Sequence, residues 1–308
     1  MILYKHKFMQ MEKIMAKRIN KAIELLKSKE TVYYMGAHSG HILTYEQGII
    51  DAKTWADYIN IGMEHGAFDM PGLDNYIRGL IDGGPTPSGH KTPAIIVEAP
   101  VEGSSENIVR YNAWQFRMIL ARGVHGIILC QAESPDAVRA FVESCRYPIN
   151  TAGVGYGLDR GTRGVGGHPT ASKVWDIDPE NYISKCEPWP LNPDGDLLLG
   201  VKIESVRGVA NCEQILTVPG IGYAEFGPGD GHMSYGIKRD PNKPLDPRII
   251  EAGKRVKEAC EKNGKYFLGG ATAENISDKI DEGVHIISGG RQDTAEAGRK
   301  YTKRQMPV

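Results

Sequence analysis

The sequence predicts an α/β protein built as a (β/α)₈ barrel, and three observations predict it. Eight short apolar runs of strand length recur along the 308 residues, nearly all of them followed by a stretch with helical periodicity. Such alternation implies a parallel sheet with helical crossovers. Many of the 37 glycines sit at the ends of the apolar runs, which suits a fold with many tight strand-to-helix turns. No GxGxxG stands between a first strand and a helix, which removes the main argument for an open, doubly wound sheet. Eight repeats at this length fit a closed barrel.

Apolar residues at helical spacing from about Met11 to Lys29 predict an amphipathic helix, so residues 1–30 are expected to be a helical extension and 31–308 the barrel domain. TVYYMGA (31–37) is then a strand and TYEQGIIDAKTWA (44–56) a helix; DYINIGMEH (57–65) is a strand and LDNYIRGLIDGG (73–84) a helix. TPAIIVEAP (92–100) is the third strand, followed by the helix NIVRYNAWQFRMILARG (107–123), which ends at a glycine suited to a left-handed cap. VHGIILCQAES (124–134) precedes a helix that Pro148 stops. A polar, Gly-rich stretch from Ile149 to about Asp176 and the short helix ENYISKCE make 149–196 an insertion. LLLGVKIES (197–205), YAEFGP (223–228), KYFLGGA (265–271) and VHIISGG (284–290) complete the strands, with helices at 208–218, 246–264, 272–283 and 291–305.

Composition narrows the function. Basic and acidic residues number 37 and 38, and no basic block interleaves with aromatics, so no nucleic-acid partner is expected. No apolar run approaches membrane-spanning length and the first residues lack a signal-peptide core, so a cytoplasmic protein without membrane contact is expected. The five cysteines are scattered and form no CxxC pair, which indicates neither a zinc site nor a disulfide framework.

In a barrel of this type, chemistry gathers where strands end. Those positions hold Tyr34 and His38; Glu64 and His65; Glu98; Gln131 and Glu133; Glu204; Asp230; Thr272; and Arg291. Glu204 and Asp230 each close a buried strand, and carboxylates there need a compensating cation. A hard divalent ion, which takes oxygen ligands, suits the pair. A helix cap and an ordinary turn are the structural alternative. His65, with an acidic residue before it and glycine after it, suits a general base. Lys202 lies two residues before Glu204 and so faces the same side of its strand. It neutralises its acidic neighbours or, alternatively, forms an imine with a carbonyl substrate.

The segments RYP (146–148), KIES (202–205), GVANCEQIL (208–216), PGI (219–221) and FGPGD (226–230), with MEHG at 63–66, resemble the HpcH/HpaI family of metal-dependent 2-oxo-acid aldolases, over about residues 31–300. The resemblance implies a class II, aldolase-type lyase that makes or breaks a carbon–carbon bond through an enolate of pyruvate or a related 2-oxo acid. It implies a homo-oligomer, a hexamer or trimer. It places Mg²⁺, Mn²⁺ or Co²⁺ on Glu204 and Asp230, proton transfer at His65, Gln131 near the substrate, and Gly227, Pro228 and Gly229 against its carboxylate. Two positions depart from the pattern. Gly62 stands where an acidic residue is usual, and Glu98 where an arginine is. Glu98 is therefore expected to act as an acid–base group or a third ligand, and a different reaction (decarboxylation, hydration or condensation) is the alternative. Arg160, Arg163, His168 and His125 are the candidate replacement cations, the first two as substrate-binding residues. A barrel that has lost catalysis is the non-enzymatic reading.

Overall fold

The computed structural model describes residues 17–288 and 291–308. Eight parallel strands form a closed barrel: β1 (Val32–Ala37), β2 (Tyr58–Gly62), β3 (Ala94–Glu102), β4 (Gly126–Cys130), β6 (Leu197–Ile203), β7 (Tyr223–Phe226), β8 (Tyr266–Gly270) and β9 (Ile286–Ser288). A two-residue strand, β5 (Pro188–Trp189), runs beside the start of β6, and pairing of β4 with β6 closes the ring. All eight predicted strands are present. The helices are α1 (Lys21–Lys27), α2 (Tyr45–Asp51), α3 (Met70–Gly83), α4 (Glu106–Leu120), α5 (Pro135–Cys145), α6 (His168–Trp175), α7 (Pro179–Lys185), α8 (Val206–Leu216), α9 (Pro228–Ser234), α10 (Pro247–Lys262), α11 (Ile276–Asp281) and α12 (Gln292–Thr302).

Each strand alternates its side chains between two apolar layers. Ile59, Ile61, Val97, Ile127, Val201 and Ala224 point outward and pack under the helices. Val32, Tyr34, Tyr58, Ile96, Ile128, Leu198 and Tyr223 point inward and fill the barrel. Toward the C-terminal ends the inward positions turn polar, with Asn60, Glu98, Lys202 and Glu225 all buried. Register sets Lys202 beside Glu225 and Gly62 beside Glu98.

The N-terminal helix differs from expectation. It begins at Lys21, because Asn20 caps it by accepting from the Ala22 and Ile23 amides; residues 17–20 are not helical, and 11–16 lie outside the described residues. Its apolar face, Ala22, Ile23, Leu25 and Leu26, joins the interior layer and forms the floor of the barrel. The floor is held by charge as well. Asp57 is buried and receives Arg304 at 2.6 and 2.7 Å, with Lys21 at 3.3 Å and Arg299 at 3.4 Å. Burial alone would raise this carboxyl, but Arg304, Lys21 and Arg299 hold it down at about 2.

The insertion is more ordered than its composition suggests, since it contains α6, α7 and β5. It follows a helix and therefore returns to the N-terminal end of the barrel, away from the strand ends where chemistry gathers. Trp175 of α6 stacks on His125 at the start of β4 and donates to the Gly123 carbonyl at 2.9 Å.

Candidate active site and metal centre

The inward face of β6 brings Lys202 and then Glu204 up to the mouth of the barrel. Glu204 is almost fully buried. Its Oε1 accepts the Gln131 backbone N–H at 3.1 Å, and Gln131 adopts φ +48, a left-handed backbone rare for a side-chain-bearing residue. The strand-four contribution is therefore a main-chain donor held in a strained turn. A Cβ at Gly227 would stand 2.1 Å from Glu204 Oε2, so glycine at that position is what admits the carboxylate. Gly229, by contrast, faces open space.

Burial pushes Glu204 up to about 9, and the neighbouring charges of Glu64 and Asp230 add to the rise while Lys202 opposes it. Asp230 lies in the first turn of α9, behind Pro228. His65 Nε2 is 3.5 Å from Asp230 Oδ2 and 3.6 Å from Glu64 Oε2, and these three side chains offer ligand atoms within 4.8 Å of one another. Sequence paired Asp230 with Glu204; the structure instead groups the ligand atoms of Asp230 with those of Glu64 and His65, while Glu204 stands outside that group, near enough to feel the charges of Glu64 and Asp230.

Lys202 spans the acidic groups. Its Nζ donates to Glu64 Oε2 at 2.6 Å and lies 3.3 Å from Glu98 Oε2. Burial would lower this ammonium, but the Cys130 thiol and the carboxylates of Glu225, Glu98 and Glu204 raise it well above the ordinary lysine value. A lysine held as its cation is a poor imine-forming nucleophile.

Glu98 is wholly buried. Its Oε1 takes His38 Nδ1 at 2.6 Å and Asn60 Nδ2 at 2.9 Å. Burial opposes ionisation, yet His38 and Lys202 outweigh it and keep the carboxyl below its usual range. Gly62 has a steric reason: a Cβ there would meet the His38 carbonyl oxygen at 2.1 Å, so no side chain, acidic or otherwise, fits beside the β1 loop.

The expected replacement cations are elsewhere, which corrects that part of the sequence reading. Arg163 is buried between helices, donating to Tyr182 Oη at 3.2 Å and Cys186 Sγ at 3.0 Å and lying over the Tyr147 ring. Arg160 is exposed and bonds the Pro148 carbonyl at 3.3 Å. His168 opens α6, and His125 sits at the foot of β4. All four belong to the N-terminal end. His38 and Lys202 are the cationic partners of Glu98 instead.

Sequence reasoning missed Asn60 and Glu225. Glu225 is buried, and burial raises it to about 7. The two-residue strand period that singled out Lys202 would have found it, since it lies two before Gly227.

The described helices include none long and apolar enough to cross a membrane. A family model for HpcH/HpaI aldolase/citrate lyase matches residues 96–294. The chain is 28% identical over 240 residues to a hydroxypyruvate/pyruvate aldolase of Delftia acidovorans, covering 78% of this chain and 74% of that one. It is 28% identical over 177 residues to a 2-keto-3-deoxy-L-rhamnonate aldolase of Klebsiella pneumoniae, covering 57% and 56% of the two. Among solved structures, an HpcH/HpaI aldolase/citrate lyase family protein of Burkholderia cenocepacia superimposes with a TM-score of 0.66 at 20% identity, over 92% of this chain and 97% of that one. At that identity the likeness speaks to the fold.

Proposed function

The chain belongs to the HpcH/HpaI aldolase/citrate lyase family and is a lyase, and on that premise we propose that it is a divalent-metal-dependent carbon–carbon lyase acting on a 2-oxo acid. The observation that carries the reading is Glu204. It is a buried carboxylate beside Glu64 and Asp230, compensated by one backbone N–H and displaced to about 9. An anion so placed is costly until a cation joins it. Carboxylate oxygens suit Mg²⁺, Mn²⁺ or Co²⁺, so the residues fit the ion. Glu204 and Asp230 would hold it, with Glu64 and His65 close by. Bound there, the ion supplies Lewis acidity toward the oxygens of a 2-oxo acid.

The rest of the reaction falls to the chain. His65, with half its side chain exposed, is placed to move a proton at Nε2 to or from the carbon next to the carbonyl. Lys202 donates to Glu64 and, with His38, favours the anion of Glu98. Gly229, which faces open space, leaves room for a substrate carboxylate beside the loop. Assembly as a hexamer or trimer is proposed from the family resemblance and would be read by light scattering.

The test is proton exchange at the methyl group of pyruvate in D₂O, followed by NMR. Metal-loaded enzyme should exchange; enzyme stripped by a chelator should not, and Glu204→Gln should not under either condition. Full exchange by stripped enzyme would overturn the metal reading. A second reading keeps the ion and changes the reaction, prompted by Glu98 being buried and neutralised by His38 and Lys202. Release of carbon dioxide rather than an aldehyde from a panel of 2-oxo acids would favour it.

A further inference from the structure

His38 leaves β1 at the mouth of the barrel, with 45% of its side chain exposed, while the carboxylate it binds has 1% exposed. The contact joins His38 Nδ1 to Glu98 Oε1 at 2.6 Å. Among the described residues nothing bonds Nε2. A buried carboxylate that grips one ring nitrogen fixes both tautomer and orientation, and leaves the other nitrogen to face a ligand.

The grip on Glu98 is itself secured. Asn60 Nδ2 shares Oε1 at 2.9 Å, and Lys202 Nζ stands 3.3 Å from Oε2. On the backbone side, the His38 carbonyl is wedged over Gly62, where a Cβ would come within 2.1 Å. The network continues from Lys202 to Glu64 at 2.6 Å and from Glu64 to His65 at 3.6 Å. His38 and His65 therefore stand at the two ends of one charged chain across the mouth.

We propose that His38 is a second catalytic acid–base residue of this site and that Glu98 is the residue that positions it. The proposal rests on the carbon–carbon lyase reading given above. In the joining direction the enolate carbon attacks the carbonyl carbon of an aldehyde. The carbon–carbon bond forms, the C=O π pair passes to oxygen, and that oxygen takes the proton from His38 Nε2. In cleavage, neutral Nε2 takes the hydroxyl proton as the C=O reforms, and the electrons of the breaking carbon–carbon bond become the enolate. The hydrogen bond to Glu98 holds the imidazole above the ordinary histidine range against the opposing effect of burial, which keeps it a proton donor near neutral pH.

Two half-reactions separate this role from a structural clamp. Pyruvate methyl exchange in D₂O reports proton transfer at carbon; product formation from pyruvate with a panel of short aldehydes reports the joining step. His38→Ala should lower joining about a hundredfold more than it lowers exchange, and imidazole added to the solution should restore part of the joining. His38→Gln should show the same split without rescue. Glu98→Gln should reduce kcat for joining about tenfold while the KM for pyruvate stays within about twofold. Thermal melting of each variant identifies any that fail to fold. The proposal falls if joining and exchange decline equally in both His38 variants, or if imidazole restores nothing. Wild-type enzyme that exchanges no pyruvate protons with Mg²⁺, Mn²⁺ or Co²⁺ would instead overturn the underlying reading, and wild type that exchanges but joins no aldehyde would overturn this proposal alone.

Discussion

Lys202→Met removes the one lysine that, among the described residues, stands between the buried acids of the mouth, and its consequence can be worked from the contacts. The ammonium is 2% exposed and serves Glu64 at 2.6 Å and Glu98 at 3.3 Å. Removing one partner of a buried ion pair costs about 3–5 kcal/mol, because the other charge is left in a low-dielectric site. A second route to the figure agrees. A carboxylate deprived of its cation can take up a proton, and protonating an ordinary glutamate at pH 7.5 costs about 3 pKa units, or about 4 kcal/mol. The expected loss is thus about 4 kcal/mol in metal-free buffer, read as a shift of the urea midpoint with unchanged slope. A divalent ion should recover part of it by supplying the missing charge. A loss under about 1 kcal/mol would refute the assignment of Lys202 as the compensating cation. So would borohydride trapping of pyruvate on Lys202, since an imine needs the neutral amine.

Three further outcomes follow from other contacts. Asp57→Asn leaves Arg304, Lys21 and Arg299 facing one another at the barrel floor, and should cost about 3–5 kcal/mol by urea unfolding. The carboxyl is held at about 2 in the fold, against about 3.9 when unfolded; its contribution is present above pH 4 and lost as pH falls toward 2, worth about 2–3 kcal/mol in wild type and absent from the Asn variant. Gly62→Ala pushes a methyl group into the His38 carbonyl, 2.1 Å away, and should lower stability by about 1–3 kcal/mol; an unchanged melting temperature would show that the β1 loop yields freely. Mn²⁺ at a hundredfold excess over its Kd should stabilise wild type by about 2.7 kcal/mol, and Glu204→Gln not at all, in a thermal-shift titration.

The fold was legible because a parallel barrel writes itself as apolar runs at regular intervals, and each run became a strand. Two helices were not. The segment of α9 reads Pro-Gly-Asp-Gly, a loop signature, and α6 lacks a side-chain cap. Tertiary packing carries both. The site was legible one residue at a time but not in pairs. His38 and Glu98 were both on the strand-end inventory, yet they are 60 residues apart, and their contact depends on β1, β2 and β3 lying side by side in register. The arginines of the insertion could have been discarded from topology alone. A segment that follows α5 and precedes β6 must lie at the N-terminal end, whatever its composition suggests.

The pairing of charges also orders what the site binds. Glu64 has Lys202, Glu98 has His38 and Lys202, and Asp230 has His65. Glu225, raised to about 7 by burial first, carries only part of a charge near neutrality. Glu204, pushed up to about 9 by burial, carries little charge near neutrality, and the acids Glu64, Glu98, Asp230 and Glu225 still outnumber Lys202 and His38. Without an ion the mouth is therefore negative, and an incoming carboxylate meets repulsion worth about 1 kcal/mol per charge at 4 Å even in water, and more where water is thin. With a divalent ion on Glu204 and Asp230 the sign reverses. Metal and 2-oxo acid should then bind with positive coupling, and linkage makes the effect mutual: pyruvate must tighten the metal by the factor by which the metal tightens pyruvate. Calorimetric titration of pyruvate into chelator-stripped and Mn²⁺-loaded enzyme should differ by at least about tenfold in Kd, a coupling of about 1.4 kcal/mol. Equal affinity in the two titrations would mean that the acidic cluster and the substrate do not share a site.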